Sequence, residues 1–417
     1  MASRSRKSAP HSLLRNLVRA THRWPLLGSA YRGIYEAAAG SVAQLAERNS
    51  HVAGIYARNS YALGTWEPGR SDIDLTVVWR DPSEGAIARF HSAYAKLQER
   101  FPMLGEVEMI DELHLAAWTR HGFSGLHSQE WKKLAGDHDL RSEYDGSEQF
   151  DRVRHAIAVY RYQFLKYLWE RPRGPAVERA AAKLMRILGR PPMKEASVDQ
   201  MWEACLRELA AAVKTIAAPV EGPMVDYADL IGRVSVATSQ PDAETLSING
   251  LHSVIASAPD AAQKHVLAAG CSDLAKIEAV FPGAIVWDPN VFRFYLCFLD
   301  PLEYFSLLRE RTVFQGEDPL REAFALTKSA LRDSISHYSV EMLTFPYRAG
   351  LAGLSDGDFR NFVYGWYLRT LRYFEDGIVD FDYYSLRQHF KNRHSEDVGR
   401  FPLLHGIAGE LSRHLRV

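Results

Sequence analysis

The stretch NSYALGTWEPGRSDIDLTVVW, residues 59–79, sets two carboxylates on one face of an otherwise apolar strand. Asp72 and Asp74 are two apart, so in an extended chain they aim together, while Ile73 and Leu75 anchor the opposite face in a core. Two carboxylates a few ångströms apart repel, and one takes up a proton unless a cation lies between them. Magnesium suits that place: it is a hard cation, prefers oxygen, and is usually held by one or two carboxylates together with substrate phosphates. A third carboxylate from a neighbouring strand would complete a two-metal arrangement. GEVEMID, residues 105–111, offers Glu106 and Glu108 on one face, with Glu108 the more central. Ser60 opens a short helical turn, so its hydroxyl and the first backbone N–H groups can cap that turn or meet a phosphate. Metal on one side and helix start on the other describe a cradle for a triphosphate. A lone Asp-x-Asp is a weak sign, because acids at strand ends are common and Asp72 after Ser71 could cap a turn. Order and spacing add to it here. A strand, a serine at a helix start, Gly64, the Pro68-Gly69 turn and Ser-Asp-Ile-Asp-Leu all fall between residues 51 and 79.

The elements that must position these groups are read from periodicity and punctuation. Residues 27–50 have helical spacing of apolar residues, and HVAGIYA (51–57) reads as a short strand. SYALG is one helical turn closed by Gly64, and TWEPGRS is a turn. DIDLTVVW is a strand that stops at Asp81-Pro82. EGAIARFHSAYAKLQERF (84–101) is an amphipathic helix, and GEVEMIDELHLAAW (105–118) a third strand. The pattern is then helical to about 215, most clearly in FDRVRHAIAVYRYQFLKYLW and AVERAAAKLMRILG, separated by ERPRGP. GDFRNFVYGWYLRTLRYFEDG (357–377) reads as a packed aromatic core helix.

The second half echoes the first. SINGLHSVIASAPD (247–260), a helix-like run, VFPGAIVWDPNVFRFYL (280–296) and FQGEDPLR (314–321) follow in the order of SDIDLTVVWRDP, a helix-like run, RFPMLGEVEMIDELHLAAW and LAGDHDLR. Phe101-Pro102 recurs as Phe281-Pro282, and Gly136 as Gly316, each at a spacing of 180. A decayed internal duplication and a coincidence of short segments both fit. On the first, Ile248-Asn249-Gly250 stands where Asp72-Ile73-Asp74 stands, and the copy could not bind metal in the same way. The expected class is α+β. A basic N-terminal segment (1–26) precedes a catalytic domain of a short mixed sheet with helices (27–147) and a helical domain (148–215). A degenerate copy (222–321) and a helical C-terminal domain (322–417) follow.

With 47% hydrophobic residues in 417, large cores are affordable and wholesale disorder is excluded. Fifty basic against fifty-one acidic side chains argue against a surface built to grip nucleic acid. No apolar run is long enough to span a bilayer, so no membrane partner is expected. Three cysteines without a CxxC spacing read as reduced thiols in a cytoplasmic protein. The sixteen histidines form no HxxxH or HxH cluster, so no zinc site is visible. MASRSRKSAPHSLLRNLVRATHRW (1–24) suits a transit peptide, a basic tail or an amphipathic first helix. Thirty-eight arginines to twelve lysines fit a bacterium with a GC-rich genome.

The stretch resembles the signature of the DNA polymerase beta-like nucleotidyltransferase superfamily, in which a Gly-Ser pair and a short helix precede an Asp-x-Asp strand. YALGTWEPGRSDIDLTVV matches that pattern nearly throughout, and the specific likeness covers about residues 50–112. The resemblance implies the family's fold in the N-terminal half. Ser60 matches the phosphate-binding serine, Asp72 and Asp74 the metal-binding aspartates, and Glu108, in VEMI, the third carboxylate. Asn59 stands where the family has its first glycine; asparagine tolerates a left-handed backbone but crowds the phosphates.

The implied chemistry is Mg²⁺-dependent transfer of a nucleoside monophosphate, AMP from ATP being favoured, to a hydroxyl acceptor with release of pyrophosphate. One metal held by Asp72 and Asp74 would clamp the phosphates. A second, shared with Glu108, would lower the pKa of the acceptor hydroxyl, with Glu108 or Glu106 as general base. On the nucleotide side the candidates are Asn59, Ser60, Ser71 and Lys183. Arg186 lies three residues on along the same helix face as Lys183, and Lys132 and Lys133 are further cations for the triphosphate. Small-molecule adenylyltransferases combine such a catalytic half with a helical half, so a small molecule or a protein is the expected acceptor. NSYALGT is also similar to the start of nucleotide second-messenger synthases. A nucleotide-sensing or scaffolding protein without turnover is the alternative of a different class, and the three carboxylates of the first half speak against it.

Overall fold

The computed structural model describes residues 17–416 except 141–143, 145, 171–173, 194–195, 217–221, 232–234, 239–249, 258–262, 269–273, 349–350, 352 and 395–398. Most of the basic N-terminal segment, the centre of ERPRGP, Cys271 and Ile248-Asn249 thus lie outside the described residues. The chain folds as two compact units. The first comprises residues 1–145, 339–371 and 383–417; the second comprises 146–338 and 372–382.

The first unit begins, in chain order, with α1 (Pro25–Glu47), β1 (Val52–Ala57), α2 (Asn59–Ala62), β2 (Ile73–Trp79), α3 (Glu84–Arg100), β3 (Leu104–Asp111), α4 (Glu112–His121) and β4 (Lys132–Gly136). The sheet order is β3-β2-β1-β4, with β1 antiparallel to β2 and to β4, and β2 parallel to β3. Ile73, Leu75 and Val77 are fully buried, packing with Ile55 of β1, Tyr35, Ala38 and Val42 of α1, and Phe90 and Tyr94 of α3. Burial of such side chains is worth about 1.5–3 kcal/mol each, and a slip of one residue would turn Asp74 into this core, so the apolar face fixes the register. Ser83 starts α3 by accepting the Ala86 N–H at 3.3 Å.

One element departs from the sequence reading. The third strand stops at Asp111 rather than running on to Trp118. Asp111 Oδ1 accepts the backbone N–H of His114 at 2.8 Å, and with Glu112 in the first turn it starts α4. Asp111 is both the last residue of the strand and the cap of the helix that follows. The first unit is completed by a 3₁₀ segment Glu341–Tyr347 and by helices that include Asp356–Phe362, Tyr383–Arg393 and Arg400–Leu415.

The second unit holds helices such as Glu148–Val159, Pro175–Ile187 and Val198–Lys214, and the strands β5 (Ser235–Thr238), β6 (Leu251–Ala256), β7 (His265–Ala268), β8 (Ile285–Trp287) and β9 (Glu310–Gly316). Its sheet order is β5-β9-β6-β7-β8. Without the edge strand β5 this repeats the first sheet strand for strand: β6 is antiparallel to β7 and β9, and β7 is parallel to β8. Gly316 pairs with Ser253 as Gly136 pairs with Gly54. Both glycines have left-handed φ, +95° and +77°, and a Cβ on either would run into the backbone of the first strand, at Ala53 or at His252.

The ladders correct the correspondence drawn from sequence by one strand. Segment 251–256 corresponds to β1, not to the Asp72–Asp74 strand. Val254 faces Val266 as Ile55 faces Val77, which puts His265 in the place of Thr76. Counting back two residues gives Gln263 for Asp74, while the counterpart of Asp72 falls outside the described residues. His265 faces Ile285 as Thr76 faces Glu108. Among the described residues, Gln263 and Ile285 thus stand in the second sheet where Asp74 and Glu108 stand in the first. His265 is instead tied into the core, its Nδ1 accepting from Trp287 Nε1 at 3.1 Å and its Nε2 lying 2.9 Å from Glu303. No helix among the described residues is long and apolar enough to cross a membrane.

Candidate functional site

Asp72 and Asp74 lie where β2 passes a bulge in β3. Ile73 pairs with Leu104 and Leu75 with Val107, so β3 carries one extra residue opposite Asp74. Gly105 sits in that bulge. A methyl group there would collide with Asp74 Oδ1 and lie 3.1 Å from Asp72 Cβ. Both side chains thus close over the same glycine. Tyr94 and Gln98 of α3 hold the bulge by donating to the Gly105 carbonyl at 3.1 and 2.9 Å. The two aspartates are half-buried beside the fully buried Ile73 and Leu75. Thr76, next on the aspartates' face, is buried, and its hydroxyl has no partner among the described residues.

The turn after β1 faces this pair. Among the described residues Asn59 is the one non-glycine residue with positive φ, +54°, the conformation the sequence comparison with a glycine position requires. Its Nδ2 donates to Asp74 Oδ2 at 2.9 Å. The Arg58 N–H donates to the Asp74 carbonyl at 2.9 Å, fixing turn to strand. Ser60 follows in α2, whose turn is closed by Leu63 N–H on Asn59 O at 3.1 Å and Thr65 N–H on Ser60 O at 3.0 Å, with Gly64 at φ +68°. Ser71 closes the Pro68-Gly69 turn instead of standing open: its Oγ accepts from Glu67 N at 3.0 Å, and its carbonyl accepts from Tyr35 at 2.8 Å. Tyr35 stacks on Trp66 at 4.4 Å, which sets the entry of the chain into β2.

Glu108 stands beside Thr76 on the next strand and is gripped by Arg58, whose Nη1 donates to Glu108 Oε2. The side chains are 12% and 31% exposed. Arg58 also lies 5.9 Å from the Trp131 ring centre, and its Nε is buried with no partner among the described residues. Glu341, from the 3₁₀ segment, joins this group. Although 38% of its side chain meets solvent, protein atoms crowd its carboxyl. That desolvation and then the charge of Glu108 push its pKa up to about 7, against the pull of Arg348 and Arg58. Glu106 is exposed. Lys132, opposite Ala57 at the edge of β4, places its ammonium 5.6 Å from the Tyr61 ring centre; Lys133 pairs with Asp139 at 2.8 Å. Lys183 and Arg186 lie in the second unit, on helix Pro175–Ile187.

The structure thus brings Asn59, Ser60, Asp72, Asp74 and Lys132 to neighbouring turns and strand ends of one sheet, with Glu108 midway along the adjoining β3. Three participants were not singled out from sequence. Arg58 and Gly105 are adjacent to residues that were, and a glycine opposite an Asp-x-Asp is the signal for Gly105. Glu341 is separated from Glu108 by more than half the chain and gives no local signal. The donors are hard oxygens, two of them closing over a cradle that a Cβ would fill and a third one strand away, a set that fits magnesium.

Residues 42–135 match the model of a protein family described as nucleotidyltransferase domain. No curated protein and no solved structure matches the chain.

Proposed function

The chain carries a nucleotidyltransferase domain, consistent with the DNA polymerase beta-like superfamily and with transfer of phosphorus-containing groups, and from that premise we propose a Mg²⁺-dependent transfer of AMP from ATP to a hydroxyl group, on a small molecule or a protein, with release of pyrophosphate. The observation that carries this reading is the closure of Asp72 and Asp74 over Gly105 beside the left-handed turn at Asn59. Asp72 and Asp74 would hold magnesium, with Glu108 as third carboxylate. Bound there, the ion would neutralise charge on the phosphates and lower the pKa of the attacking hydroxyl. Ser60 and Lys132 would receive the triphosphate, and Asn59 would limit how closely it approaches. Glu108, or the exposed Glu106, would accept the acceptor's proton. Buried thiols at Cys205 and Cys297, both pushed up to about 12 by desolvation, support a reducing compartment such as the cytoplasm.

A second reading, a nucleotide-binding protein without turnover, is favoured by two observations: Arg58 already neutralises Glu108, and Asn59 occupies an oxygen of Asp74. The readings part in one experiment. With α-labelled ATP, Mg²⁺ and a mixture of small hydroxyl compounds and protein, the enzyme transfers label and releases pyrophosphate, and a chelator stops both. ATP bound stoichiometrically with no pyrophosphate formed over many hours would favour the second reading.

A further inference from the structure

Asp111, His114 and His405 form another group of ligating side chains in the first unit, at the opposite end of the β2–β3 ladder from the aspartate pair. Asp111 pairs with Trp79, the last residue of β2, whereas Leu104 pairs with Ile73, the first. His114 Nδ1 and His405 Nε2 each lie 3.0 Å from Asp111 Oδ2, and the three donor atoms lie within 4.8 Å of one another. Tetrahedral zinc with nitrogen and oxygen ligands at about 2.0–2.2 Å has ligand–ligand edges of about 3.4 Å. The three atoms therefore stand close to the spacing that an ion among them would impose.

Two further observations point to a ligand rather than to a self-contained polar cluster. His114 is 3% exposed, and its Nδ1, 3.0 Å from Asp111 Oδ2, is paired with that carboxylate without the alignment of a good hydrogen bond. A buried ring nitrogen poorly satisfied in this way is costly, and a metal ion between it and the carboxylate would satisfy it. Asp111, 1% exposed, is also braced in the manner of a ligating carboxylate. Its Oδ1 accepts the His114 backbone N–H at 2.8 Å, and its Oδ2 accepts the Tyr347 hydroxyl at 2.5 Å. The His405 side chain is 32% exposed, which leaves a route for the ion and room for a water in the fourth position.

We propose that Asp111, His114 and His405 bind one zinc ion, with water as fourth ligand. The ion would fasten helix Arg400–Leu415 to the corner where β3 turns into α4. This proposal is independent of the catalytic reading, since none of its residues belongs to the aspartate site.

The test uses the full chain, stripped with a chelator and returned to chelator-free buffer. It is titrated with cobalt(II) alone and then with zinc against a chromogenic chelator, with far-UV circular dichroism to confirm folding. The expected result is tetrahedral cobalt absorption in the visible saturating at one equivalent and displaced by zinc. His405→Asn should abolish it. Tyr347→Phe, which keeps the shape but removes the hydrogen bond to Asp111, should weaken zinc binding about 10–100-fold. Asp74→Asn should leave it intact. Absence of tetrahedral cobalt bands in the wild type, or equal zinc binding by wild type and His405→Asn, overturns the proposal. If His405→Asn fails to fold, the wild-type titration and Tyr347→Phe decide.

Discussion

Gly105→Ala is the substitution that tests the arrangement of the two aspartates most locally. The added Cβ meets the backbone oxygen of Ile73 at 3.2 Å, which β2 cannot yield without loosening its ladder, so the side chains must give way. Asp74 Oδ1 has to retreat by about 1 Å to reach an ordinary contact, which begins near 3.4 Å. Gly105 does not have positive φ, so alanine brings no backbone strain, and it lowers the entropy of the unfolded chain by about 0.4–1 kcal/mol in favour of folding. Overpacking costs about 1–3 kcal/mol. The net loss of stability, about 0–2.6 kcal/mol, is small against the usual 5–15 kcal/mol of a folded protein. A misplacement of about 1 Å at a reacting centre, by contrast, costs on the order of 100-fold in rate. The assay is pyrophosphate release at saturating ATP across a Mg²⁺ titration, read beside a urea unfolding curve. A variant that folds and releases pyrophosphate at the wild-type rate with the wild-type Mg²⁺ requirement would refute the claim that Asp72 and Asp74 act as a pair over this glycine.

Other substitutions probe the neighbours. Arg58→Ala frees Glu108; it should lower the Mg²⁺ concentration for half-maximal rate several-fold and cost about 1.5–3 kcal/mol of stability through the lost charged hydrogen bond, and an unchanged Mg²⁺ requirement would mean that Glu108 takes no part. Asn59→Gly removes both the left-handed strain and the amide on Asp74; stability should change by less than about 1 kcal/mol, while KM for ATP falls, and a raised KM would speak for the amide as a ligand contact. Glu341 has its pKa raised from 4.5 to about 7, so the stability it confers is complete below about pH 4.5 and is lost as pH rises through about 7. Urea midpoints measured from pH 4.5 to 8 should therefore decline more in the wild type than in Glu341→Gln; parallel curves would remove Glu341 from this account.

The catalytic half of the fold was legible because its signals are local. The alternation Asp72-Ile73-Asp74-Leu75 sets both the buried face and the open one, and the asparagine at 59 is tolerated where a left-handed turn is needed. The strand was read through to Trp118 because Asp111, its last residue, also caps the next helix, and only its carboxylate on the His114 amide reveals the stop. The likeness of the two sheets showed in its glycines and Phe-Pro pairs but not in its register, since β7 and β8 are only four and three residues long and carry little alternation. The Arg58–Glu108 pair joins residues 50 apart, and His405 reaches Asp111 across 294, so no spacing rule could announce either.

The central claim is that the aspartate pair carries nucleotidyl transfer, and it is tested most directly by pyrophosphate release from ATP and Mg²⁺ with the Asp72→Asn and Asp74→Asn chains. Each is close to isosteric on the half-exposed side of β2, so each should keep the wild-type unfolding midpoint to within about 1 kcal/mol and lose transfer entirely. Wild-type release by either folded variant would contradict the account.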